Sequence, residues 1–99
     1  MWKRKLIQDL TFGLGQEVAL RQRYQQDGFG LESAFGSERE ARARIEVLKR
    51  KFGLSDIEMR LVQSICKAGA QERITWQVYA KAGKGVNVFL PKSSEEQET

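Results

Sequence analysis

Arg73, Tyr79, Lys81, Lys84 and Phe89 fall within one short stretch near the C-terminal end, and their types suit contact with a polyanion. Lysine and arginine neutralise phosphates, and an exposed aromatic ring offers a base a surface to stack on. A second set of cations, Arg39, Arg42, Arg44, Lys49, Arg50 and Lys51, lies in the middle of the chain. Glu38, Glu40 and Glu46 precede Arg42, Arg44 and Arg50 by four residues, the spacing of ion pairs on a helix surface. Arg39, Lys49 and Lys51 lack such a partner, so Lys49 and Lys51 join the five C-terminal residues as the candidate nucleic-acid-binding set. Lys3, Arg4 and Lys5 beside Trp2 form a third group. With Leu6 and Leu10 they suit a membrane-surface segment, but it is short and Asp9 interrupts it, so a membrane role ranks third.

Catalytic chemistry finds little to use. Histidine is absent, which removes the usual general base, the Ser-His and Cys-His pairs and imidazole metal ligands. A single cysteine, Cys66, builds neither a disulfide nor a zinc or iron–sulfur site within one chain. Its place beside Val62 and Ile65 reads as a buried structural thiol. The glycine pairs at 13/15, 28/30 and 83/85 do not extend to a nucleotide-binding fingerprint, and Gly83-Lys84 lacks the Ser/Thr of a phosphate loop. The expectation is a non-catalytic chain with no metal and no cofactor.

Charge points the same way. The segment Ser93–Thr99 carries Glu95, Glu96 and Glu98 and no cation; the other residues hold 17 basic side chains against 10 acidic ones. Polyanions are natural partners of such a surface. The length predicts one domain over residues 1–92 and an acidic, disordered tail over 93–99. The lone cysteine and the lack of a long apolar run point to the cytoplasm. A homodimer stays open as a way to enlarge a modest core.

The elements that position these groups follow from periodicity. Trp2, Leu6 and Leu10 favour a helix at the start, although Leu6, Leu10 and Phe12 also alternate as a strand would. Residues 16–26 favour helix by composition and 29–36 read as a connector. Ser37 with Glu40 is a capping box opening a helix with Ala41, Ile45, Leu48 and Phe52 on one stripe, stopped by Gly53. Ser55 with Glu58 repeats the pattern and predicts a helix to about residue 67. From Ile74 the period becomes two, and residues 74–80 and 86–90 read as a β-hairpin around Gly83 and Gly85. The prediction is an α+β fold, about three helices followed by a C-terminal two-stranded hairpin. This order matches a winged-helix DNA-binding end, although Asp56, Glu58 and Gln63 suit a groove-reading helix poorly. A further pattern is an echo at 23 residues: Phe12-Gly13 and Phe35-Gly36 each precede a helical stretch, with Glu17 and Arg21 answered by Glu40 and Arg44. The expected function is a nucleic-acid-binding accessory or regulatory protein acting through the hairpin. A protein–protein adaptor or small subunit is the rival.

Overall fold

Two capping signals define the central helix. Ser37 is extended and its hydroxyl accepts from the Glu40 N–H at 3.3 Å; Gly53 closes the far end with φ of 70°, a left-handed conformation that costs a Cβ-bearing residue more. A computed structural model describes residues 5–81 of the chain. In order they form β1 (Ile7–Phe12), α1 (Leu14–Gln26), β2 (Phe29–Phe35), α2 (Glu38–Phe52), a 3-10 turn (Asp56–Glu58), β3 (Met59–Ala68) and β4 (Gln71–Lys81).

The strands make one mixed sheet in the order β1-β3-β4-β2. β1 runs parallel to β3, and β4 is antiparallel to both β3 and β2, so β1, β2 and β3 share one direction. The chain crosses the sheet from β1 to β2 through α1 and returns to β3 through α2. Two crossovers of one hand in opposite directions place the helices on opposite faces. The core is accordingly split. α2 lays Ala41, Ile45 and Leu48 on Met59, Leu61, Val78 and Ala80. α1 lays Leu20 and Tyr24 on Phe29, Val62 and Tyr79.

The expected fold class needs correction. The structure is α+β, but with two helices and a four-stranded mixed sheet rather than three helices and a hairpin. Residues 7–12 are a strand, as are 29–35, which read as a connector. The stretch expected as a second capped helix is the 3-10 turn followed by β3. The capping chemistry is real there: the Glu58 carboxylate accepts from the Ser55 N–H and hydroxyl at 3.0 Å each. It closes one turn and no more, because Leu61 and Val62 each find a buried partner on opposite sides of the sheet. The groove-reading helix of a winged-helix end is therefore absent. β4 has a strand on each side rather than forming one arm of a two-stranded hairpin; the expected partner strand at 86–90 lies outside the described residues.

The 23-residue echo coincides with the two strand–helix units. β1 ends at Phe12 and β2 at Phe35, each one turn before its helix.

Candidate functional site

Glu17 and Arg21 lie on the sheet-facing side of α1, where apolar residues would be expected. The Glu17 carboxylate accepts from the Ser64 hydroxyl at 2.6 Å and the Gln77 amide at 2.9 Å. Arg21 lies 3.5 Å from the same carboxylate and donates through Nε to the Tyr79 hydroxyl at 3.1 Å. Tyr79 in turn donates to the Gln77 side-chain oxygen, Oε1, at 2.8 Å. Burial pushes the Tyr79 hydroxyl above its ordinary pKa, and the neighbouring Arg21 only partly offsets this. Tyr79 is therefore a neutral donor at physiological pH. Beside it, the Tyr24 hydroxyl donates to Asp9, and burial followed by that bond also raises Tyr24. Each of these groups satisfies another, so the network holds α1 on the sheet.

The residues expected to form a binding surface are dispersed. Tyr79 is 1% exposed and presents no ring to a ligand. Arg73 pairs with Cys66 towards one end of the sheet, while Lys81 pairs with Phe29 at the other. Eight residues of strand separate these cations by roughly 26 Å. Lys81 holds its ammonium 5.4 Å from the Phe29 ring, which Arg60 also covers at 4.2 Å. Lys49 is bound to Asp56 at 2.7 Å and Glu46 at 3.6 Å. Lys51 is exposed on α2. Lys84 and Phe89 lie outside the described residues.

A different feature stands out, and sequence reasoning missed it. Among the described residues, the exposed large hydrophobic side chains are Ile7, Leu10, Phe12, Leu14, Val18, Ile57 and Ile74. All but the last two fall in β1 and the start of α1. β1 is an edge strand among the described residues. Gly13 donates its N–H to Ile65 at 2.8 Å, towards β3, whereas the Phe12 N–H points the other way, to Gln16 Oε1 at 2.8 Å. Backbone alternation then turns the Gln8 and Leu10 amides outward as well. On the α1 side this edge borders a cavity of about 210 Å³ lined by Asp9, Thr11, Gln16 and Arg23. The Thr11 hydroxyl is buried there with no hydrogen-bond partner. The signal in the sequence was slight: Ile7–Phe12 holds no Lys, Arg or Pro, the residues that usually guard an edge.

The opposite edge is guarded. β2 has a register shift between Leu31 and Ser33, and Glu32 is tied to Arg44 by bonds of 2.6 and 3.1 Å. Burial would raise the Glu32 carboxyl, but the Arg44 hydrogen bonds, Ser33 and the Arg44 charge together outweigh it and hold the carboxyl below the ordinary carboxylate range. The pair's contribution is thus complete above the unfolded carboxylate pKa and is lost as pH falls through the lower folded value. Glu32→Gln should cost about 1–2 kcal/mol at neutral pH, towards the low end because Arg44 is partly exposed. Urea denaturation across an acid series checks this: the gap to wild type should close as pH falls.

Among the described residues no cluster of acidic and cysteine side chains converges as a metal site, and no helix is long and apolar enough to cross a membrane. No protein-family model, curated protein or solved structure matches this chain.

Proposed function

We propose that the chain is a non-catalytic protein-interaction module, a small subunit or adaptor that engages protein through the β1 edge. The observation that carries this reading is the coincidence of outward Gln8 and Leu10 amides with the exposed Leu10 and Phe12 side chains on the same strand. An edge of this kind accepts a further strand: backbone bonds supply affinity and flanking apolar side chains supply specificity. A cytoplasmic setting belongs to the same proposal, because Cys66 is a free thiol in the described fold.

The test is capture of protein partners on the immobilised full chain after nuclease treatment, at low and high salt. Capture that survives both and is lost with Phe12→Glu supports the reading. Retention that disappears with nuclease, and that Phe12→Glu leaves unchanged, would sink it.

Nucleic-acid binding is the second reading, favoured by the exposed Arg39, Arg50 and Lys51 of α2. It predicts binding to labelled DNA or RNA that weakens steeply with salt.

A further inference from the structure

We infer that the occupant of the β1 edge is a second copy of this chain, paired antiparallel and centred on Leu10. The inference rests on the interaction-module reading and names its partner.

A twofold axis perpendicular to the sheet makes one face continuous across both copies, so residues on the same face must oppose one another. Asp9 and Thr11 share the α1 side with their β3 neighbours Val62 and Ser64; Gln8, Leu10 and Phe12 share the α2 side with Leu61, Gln63 and Ile65. Three registers oppose outward residues of β1, but the one centred on Thr11 sets the Gln8 amide against Leu14, the first residue of α1, and strands the N-terminal half of β1, which leaves two. One is centred on Asp9 and sets that carboxylate against its own copy, a like-charge pair directly across the strands. The other is centred on Leu10 and sets Asp9 against Thr11, Gln8 against Phe12, and Leu10 against Leu10.

Charge selects the second. In it, the Asp9 carboxylate of each copy comes opposite the other copy's Thr11 rather than opposite its Asp9, at a cavity that its own Asp9 lines together with Gln16 and the exposed Arg23. The Thr11 hydroxyl, buried without a partner in the single chain, gains an acceptor there. On the other side of the sheet, Leu10 at 49% exposure meets its own copy and Phe12 at 58% lies against Gln8 and, diagonally, Leu10 of the second copy, so both leave water. Gln16 holds the Phe12 N–H in the single chain. In the pair the Gln8 carbonyl of the second copy takes that amide over. The guarded β2 edge has no such complementarity, so growth stops at two copies.

Sedimentation of the full chain tests the assembly, and cysteine pairing tests the register. Wild type should sediment as a dimer at about 100 µM, and Leu10→Lys as a monomer with an unchanged circular dichroism spectrum. In a Cys66→Ser background, Leu10→Cys should link two chains under oxidised glutathione about ten-fold faster than Asp9→Cys, because only opposed residues meet disulfide geometry. Equal rates, or faster linking through position 9, would overturn the register. A wild-type monomer would overturn the proposal. Should that monomer still capture another protein in a Phe12-dependent way, the interaction-module reading stands and only the second copy is lost. A monomer whose Gln8 and Leu10 amides exchange slowly with deuterium overturns it as well, by placing another segment of the same chain on the edge.

Discussion

Glu17→Ala should destabilise the fold by about 3 kcal/mol, because it removes the acceptor on which several buried donors converge. Ser64 is 1% exposed and Gln77 5%, so neither can turn to water when the carboxylate leaves. Ser64 would lose its 2.6 Å bond, and the Gln77 amide its 2.9 Å bond. Arg21 would lose its nearest anion while still donating to Tyr79. For a domain of this size such a loss lowers the melting temperature by roughly 12–24 °C. Glu17→Gln is the informative companion. Its amide oxygen still accepts from Ser64 or Gln77, so its cost should be about half that of the alanine variant. Urea titration followed by circular dichroism reads both values. A Glu17→Ala variant within a few tenths of wild type would mean that water replaces the network in solution.

That network also explains why Tyr79 misled a reading of the sequence. Strict alternation over Ile74–Lys81 implies one wet face, and an aromatic residue on it looks like a stacking platform. In a central strand with a helix on each side, no wet face remains: Val78 packs under α2 and Tyr79 under α1. β3 failed for the same reason in reverse. Leu61, Val62, Ile65 and Cys66 fit the stripe of a helix, but a strand buried on both faces also shows adjacent apolar residues. Local chemistry did not separate the two, since the Ser55–Glu58 bonds form equally well ahead of a single turn. α2 was legible because its evidence was local at every step, from the Ser37 cap through one apolar stripe to Gly53. The candidate edge was the least legible of all. Whether Ile7–Phe12 lies at the rim or the centre of a sheet depends on strand order, which no periodicity within the strand encodes.

Leu48→Ala should cost about 3 kcal/mol, and its coupling to other substitutions should map the two faces of the sheet. Leu48 is fully buried on α2 and shares one cluster with Ile45, Leu61 and Val78. Leu20 belongs to the cluster on the opposite face, with Tyr24, Val62 and Tyr79. Ile45→Val alone removes one methylene, at a cost of about 1 kcal/mol. Combined with Leu48→Ala it should depart from additivity, because the cavity left by one side chain changes how its neighbour repacks. Combined with Leu20→Ala it should add within about 0.5 kcal/mol, because the backbone of β3 and β4 separates the two sites. Denaturant titrations of the singles and both doubles give the two coupling energies directly. A coupling across the sheet as large as that within the α2 cluster would mean that the helices pack into one shared core, contrary to the three-layer arrangement. Additivity across the sheet would establish that α1 and α2 are anchored independently. The polar α1 side could then be altered residue by residue without loosening the apolar α2 side.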